Sequence, residues 1–423
     1  MIRKRTSLCY LLALLISLSL VFSGCSHHDS EAEAKPARYG SFGADFAVEL
    51  ARSVPQRGPG SSGERQAAEL IKAAFEGLGY QVELQPFSFY LNSGQQAESQ
   101  NLIIKIPGRG FKLESNYDPN SSILDSQRPP AELSGRKLYI MAHYDSYASE
   151  SEYLALSERS PALPNFNQAD GIHDNSAAVA VLLSLAKELK SHQTAYDIVL
   201  VLLGAGHSDY AGASALLSTL SAEDKNLTDC VVNLSNIYAG DKIYAHAGQN
   251  SVTGEHSKNY ALRRKLYEVT DIYYNNLLLT HNNFAIYTNQ STEKVTHPSL
   301  GIPVLYREWT LVESDHSVFD RAGYPIVFIQ SGQYDFNSEQ QSFRESTDPF
   351  FNASGGRIAG SGFDSTQILL PHFAVNTSEQ NQAARDNNEE PDEAIDLLSR
   401  NINNLAFVLL ELADKTPPYC EIK

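Results

Sequence analysis

The run Ile198-Val199-Leu200-Val201-Leu202-Leu203 has no polar alternate among its six residues. A strand of this kind has no solvent face and must be covered on both sides, as the central strands of α/β sheets are. Further strand-like segments lie at Gln81–Tyr90, Asn101–Ile106, Lys137–Met141, Val231–Ile237 and Ile326–Gln330. Helical spacing alternates with them. Residues Ser61–Gly79 carry Ala67, Leu70, Ile71, Ala74, Phe75 and Leu78 on one face, with Gly79 as a stop, and a second helix is expected from about Asn175 to Leu189. A final helix, Asp392–Asp414, aligns Ile395, Leu398, Ile402, Leu405, Leu409 and Leu412. Strands alternating with helices predict an α/β sandwich.

The N-terminus reads as an address. Arg3, Lys4 and Arg5 precede an apolar run from Leu8 to Phe22 that is short for a permanent span and fits a signal peptide. The run ends in Val21-Phe22-Ser23-Gly24-Cys25, which resembles the lipobox of bacterial lipoproteins and makes Cys25 the lipidated residue. Residues 1–25 are then the signal, 26–44 a tether, and 45–416 one domain with a long insertion at about 331–391. The expected location is extracytoplasmic, lipid-anchored to the bacterial cell envelope, with free secretion after ordinary cleavage as the alternative. Two cysteines remain, Cys230 and Cys420, which either form one bridge or stay as thiols. A formal net charge of −17, with Arg263-Arg264-Lys265 the only basic cluster beyond the N-terminus, argues against nucleic acid as a partner.

Ligand sites in α/β sheets lie beyond the carboxyl ends of the strands. The residues at those positions carry chemistry. His143-Tyr144-Asp145-Ser146 follows the strand at 137–141, and His173-Asp174-Asn175-Ser176 opens a helix. Gly204-Ala205-Gly206-His207-Ser208-Asp209 follows the apolar run, Ser235-Asn236 follows Val231–Leu234, and Ser314-Asp315-His316 precedes the strand at 326–330. Imidazoles and carboxylates collected at one rim are how a metal site is assembled from distant sequence.

These motifs, with the early Arg57-Gly58, Gly63-Glu64, Ala67 and Leu78-Gly79, resemble the co-catalytic zinc aminopeptidases and glutaminyl cyclases of metallopeptidase family twenty-eight. The resemblance runs from about Ser53 to Ile329 and includes the terminal helix. It implies a phosphorylase/hydrolase-like fold, a three-layer α/β sandwich with a mixed, mostly parallel central sheet. It also implies zinc and a peptide or small amino-group substrate. Carried over by position, His143 is a ligand of one metal with Asp145 orienting its ring, Asp174 bridges, and His316 binds the second metal.

Two departures weaken that assignment. The family has a general-base glutamate and a glutamate ligand where this chain has Gly206 and His207, and an aspartate ligand where it has Ser235. His207 can replace the glutamate ligand, so Asp174, His207 and His316 are expected to hold one zinc in preference to two. Asp209 and Glu313 are candidate substitute bases. Losing a positioned base costs about 100- to 10,000-fold. The expectation is therefore weakened aminopeptidase-type hydrolysis, with a catalytically inactive peptide- or protein-binding member as the rival and glutaminyl cyclization ranked last. His173 is given no ligand role.

Overall fold

Alternating residues of the central strands bury themselves in two different layers. The computed structural model describes residues 40–91, 93–113, 135–147, 164, 166–251, 262–276, 284–288, 293–296, 301–306, 312–335, 342–374, 396–417 and 420–423. The signal, Cys25 and most of the tether lie outside the described residues. Elements are numbered among those described.

The chain begins with helices α1 (Phe42–Ser53) and α2 (Ser62–Gly77), then β1 (Glu83–Tyr90), β2 (Gln96–Ile106), β3 (Phe111–Leu113) and β4 (Lys137–His143). Helix α3 (Ala177–Leu189) leads to β5 (Asp197–Leu203), α4 (Ala211–Thr219), α5 (Ala222–Leu227), β6 (Thr228–Ser235) and β7 (Lys242–His246). There follow α6 (Arg264–Asn275), β8 (Ile286–Thr288), β9 (Glu293–Thr296), β10 (Pro303–Tyr306), α7 (His316–Arg321), β11 (Ile326–Asp335), β12 (Ser342–Arg344), α8 (Leu397–Asp414) and β13 (Cys420–Ile422).

The main sheet has the order β1-β2-β5-β4-β6-β11-β7-β8, with β12 on β11. Its middle, β5-β4-β6-β11, is parallel, while β1, β2 and β7 add antiparallel margins. Leu138, Ile140, Ile198, Leu200, Leu202, Val232 and Ile329 pack against α1, α2, α3, α6 and α8. Their neighbours Tyr139, Met141, Val199, Val201, Leu203, Val231 and Phe328 pack against α4 and α7. That is the expected three-layer sandwich, and each fully buried Val, Leu or Ile in it contributes roughly 1.5–3 kcal/mol.

Two sequence expectations are sharpened. Helix α1 starts at Phe42, inside the stretch read as tether, because Phe46, Leu50 and Ala51 supply a further apolar face. Cys230 and Cys420 are both buried free thiols, so the bridge is not made.

Parallel pairing puts the carboxyl ends of β4 and β5 side by side, with His143 opposite Leu203, and β6 ends beside them. The loops that follow these strands are thereby forced together at one rim.

Candidate metal centre

His143 is the last residue of β4, and the chain turns at once to bring Asp145 back beneath its ring. His143 Nδ1 lies 3.4 Å from Asp145 Oδ1 and 3.2 Å from the Asp145 carbonyl oxygen. Asp145 does a second job that the sequence did not disclose. Its carboxylate accepts from the backbone N–H of Gly206 at 2.8 Å and of His207 at 2.9 Å, tying the turn after β5 to the turn after β4. With both oxygens so engaged, Asp145 orients the site and has little left for a metal, although it lies near enough to His143 and His207 to be counted with them.

Asp174 sits where the loop before α3 enters the same space. Its Oδ1 is 3.2 Å from His143 Nε2 and its Oδ2 is 3.3 Å from His207 Nε2. The two imidazoles meet edge to face, 4.9 Å between centroids. All three side chains are at least four-fifths buried. Burial alone would lift the Asp174 carboxyl, but the imidazoles of His207 and His143 hold it well below the ordinary carboxylate range. Burial would likewise depress His143, and Asp145 and Asp174 reverse this and raise it well above the usual imidazole value.

The donor set fits a zinc ion. His207 Nε2 is buried and, despite its distance to Asp174, has no hydrogen-bond partner. Two ligands each about 2.0–2.1 Å from a tetrahedral zinc stand roughly 3.3–3.4 Å apart. Each nitrogen–oxygen separation here is close to that, although the two imidazoles face different oxygens of Asp174. The residues whose ligand atoms all lie within 4.8 Å of one another are His143, Asp145 and His207.

The loop bearing Asp174 is held from below. Arg57, fully buried, donates to the carbonyls of Val54, Tyr144, Asp170 and Gly171 and to the Ser176 hydroxyl at 2.8–3.0 Å. Asp364 accepts from the backbone N–H of His173 and Asp174 at 2.7 and 3.1 Å. Glu345 pairs with His173 Nε2 at 3.4 Å and accepts from Asn236 Nδ2 at 2.9 Å. Asp364 and Glu345 come from the 331–391 insertion, which therefore buttresses the site. Neither carries a motif, and the sequence offered no signal for them. The His173 imidazole is buried between Glu345 and the Ala239 N–H.

Other expected residues make no hydrogen bond or ion pair with His143, Asp174 or His207 among the described residues. His316 stacks on Phe328 with ring centroids 4.1 Å apart and makes no hydrogen bond or ion pair with His143, Asp174 or His207. Burial, with His246 and Arg321 nearby, lowers its pKa to about 3. His316 is expected as a ligand beside Asp174 and His207, and its Nδ1 is buried with no hydrogen-bond partner while the ring rests on Phe328 of β11. Asp209 and Glu313 are exposed. Asp209 takes a left-handed backbone (φ 51°) in the turn after β5. Ser235 is buried, and its hydroxyl bonds the neighbouring Asn236. Asp315, beside His316, is buried with a pKa pushed up to about 6 by burial. At the rim, Tyr147 covers the His207 ring at 3.9 Å, and the Arg357 guanidinium lies 5.5 Å from the Tyr147 ring.

The sequence profile of peptidase family M28 matches residues 127–359, more than half of the chain. The alkaline phosphatase isozyme conversion protein of Escherichia coli (strain K12) is 24% identical over 321 residues, covering 76% of this chain and 80% of that protein. Among solved structures, the glutaminyl cyclase of Fimbriiglobus ruber aligns with a TM-score of 0.50 at 14% identity, covering 89% of this chain and 95% of that one. An aminopeptidase from Aneurinibacillus sp. strain AM-1 aligns with a TM-score of 0.50 at 12% identity, covering 92% and 98%. These two share the fold. Taken with the rim of His and Asp side chains, the profile match establishes that this chain belongs to peptidase family M28.

Proposed function

We propose that the protein is a zinc-dependent hydrolase of peptides or small amino-group substrates, of aminopeptidase type, working with reduced catalytic power at a rebuilt metal centre. The observation that carries this reading is the placement of His143 Nε2 and His207 Nε2 on the two oxygens of Asp174. His143, Asp174 and His207 would hold the ion, and the loss of an anionic ligand at Ser235 favours one zinc over two. Zinc supplies Lewis acidity toward a scissile carbonyl and makes hydroxide accessible near neutral pH. Asp145 keeps His143 in the tautomer whose Nε2 lone pair faces the centre and holds the backbone of His207 in place. No glutamate stands at Gly206 to take a proton from the attacking water, and this is the origin of the reduced rate.

Anchoring through Cys25 on the outer face of the cytoplasmic membrane is part of the same proposal and rests on the N-terminal sequence alone. Zinc content by elemental mass spectrometry on the full chain, purified in detergent without chelators, tests the centre. About one zinc per chain, lost in His207→Ala, with slow turnover of aminoacyl substrates that Asp174→Ala abolishes, is the expected result. A second reading, an inactive peptide-binding member, is favoured by Gly206. It takes over if zinc is bound and no aminoacyl substrate turns over.

A further inference from the structure

The side chains of His143 and Asp174 are 5% and 3% exposed and that of His207 is 16% exposed, so the centre is approached from the His207 side. Tyr147 stands there, its ring centroid 3.9 Å from that of His207. The Arg357 guanidinium lies over the Tyr147 ring at 5.5 Å, within the range of a cation–π contact.

The surrounding backbone fixes Arg357 in this place. Its Nε donates to the Ala359 carbonyl at 2.9 Å. One oxygen of Glu345 accepts from the N–H groups of Ile358 and Ala359, the latter at 2.8 Å, while the other pairs with His173, the neighbour of Asp174. A single carboxylate thus ties the loop that carries Arg357 to the loop that carries Asp174. Gly360 completes the fit, because a Cβ there would lie 2.9 Å from Arg357 Nη2 and 3.0 Å from Tyr147 Cδ2, and its φ of 63° favours glycine as well.

The guanidinium is held but not neutralised. Among the described residues its Nε bond is the only hydrogen bond it makes, and no carboxylate forms an ion pair with it. In a chain with 50 acidic against 33 basic residues, a fixed cation at the mouth of the site without a carboxylate partner is an exception. Its free Nη groups form a planar fork that matches a carboxylate.

We propose that Arg357 is a specificity-determining residue that selects substrates with a carboxylate beside the scissile bond, supplied by an acidic N-terminal side chain or by the terminus of a dipeptide. The inference rests on the proposed function above and names its substrate class. Two ring contacts separate the guanidinium from the His207 imidazole, and successive Cα atoms of a peptide are about 3.8 Å apart, so a carboxylate on a residue flanking the bond comes within its reach.

Competition binding to the zinc-loaded full chain in detergent is the test, because it needs no turnover. L-glutamic acid α-hydroxamate against L-glutamine α-hydroxamate reads the side-chain source. Dialanine against dialanine amide, each displacing alanine hydroxamate, reads the terminal source. In at least one pair the carboxylate is expected to bind about 10- to 100-fold more tightly than its neutral counterpart, the range of a hydrogen bond to a charged group. Arg357→Gln is expected to abolish that difference by weakening the carboxylate member, and Arg357→Lys to retain part of it. No preference in either pair, a preference that survives in Arg357→Gln, or an equal loss for both members overturns the proposal and leaves the zinc hydrolase reading standing. If zinc binds and no aminoacyl substrate turns over, the hydrolase reading falls and the same pairs still decide the role of Arg357. A wild-type protein that takes up no zinc overturns both.

Discussion

Gly206 packs so closely on His143 that a Cβ built on it would lie 2.7 Å from His143 Cβ and 3.0 Å from Asp145 Oδ1. Position 206 is therefore closed to any side chain in this chain. Adding one should force His143 and Asp145 out of place. Gly206→Ala is expected to cost about 1–3 kcal/mol of stability by chemical denaturation, the usual penalty for overpacking. Gly206→Glu is expected to lower zinc content and to bring no gain in aminopeptidase rate. A stable Gly206→Glu protein that hydrolyses aminoacyl substrates faster than wild type would refute this account of the turn.

Asp145 serves two loops at once, so its removal should disturb both imidazoles. Asp145→Ala leaves the N–H groups of Gly206 and His207 without their acceptor and frees the His143 ring to rotate. Zinc affinity is expected to fall about 10- to 100-fold. Chelator competition decides it, and an affinity equal to wild type would show that Asp145 is dispensable for the centre.

Arg57 binds four carbonyls and one hydroxyl with a single guanidinium. Each buried acceptor left bare costs about 1–3 kcal/mol, so Arg57→Ala is expected to destabilise the protein by at least about 3 kcal/mol. Arg57→Lys should rescue little of this, since an ammonium cannot reproduce the planar fork. Denaturation midpoints of the two variants provide the check, and a lysine variant matching wild type would count against the bracing role.

Two buried carboxyls make stability depend on pH in a defined direction. Glu64, ordinarily near 4.5, and Asp364, ordinarily near 3.8, are each pushed up to about 7, chiefly by burial. Between their unfolded and folded values the native state holds more protons than the unfolded chain, so stability is fully present at the acid end and falls as pH rises toward 7. Each group adds a slope of at most about 1.4 kcal/mol per pH unit. Glu64→Gln is expected to remove its share of the slope between about pH 5 and pH 7, whatever constant cost it carries. Identical slopes in variant and wild type would contradict the raised value.

Anchoring at Cys25 predicts that the protein is labelled by fatty acid in growing cells and sediments with membranes. Cys25→Ala should abolish the label and move the protein to another fraction. Persistence of the label in that variant would place the modification elsewhere.

The architecture was legible in the sequence because hydrophobic periodicity is a local property. Ile198–Leu203 can only be a strand covered on both faces, and the helical spacing of Ala67, Ile71 and Phe75 can only be satisfied by one buried stripe. Placing ligands beyond strand ends was also a local inference, since β4 and β5 are parallel and their ends must meet. His143, Asp174 and His207 came together for that reason. What each side chain does there was decided by contacts between residues far apart in the chain. The stacking of His316 on Phe328, the unpartnered carboxylate of Asp315, the reach of Asp364 back to the 173–174 backbone and that of Glu345 to the His173 ring depend on packing that no periodicity encodes. Within Ser314-Asp315-His316, only the folded arrangement shows one ring lying on an aromatic neighbour and one buried carboxylate without a hydrogen-bond partner.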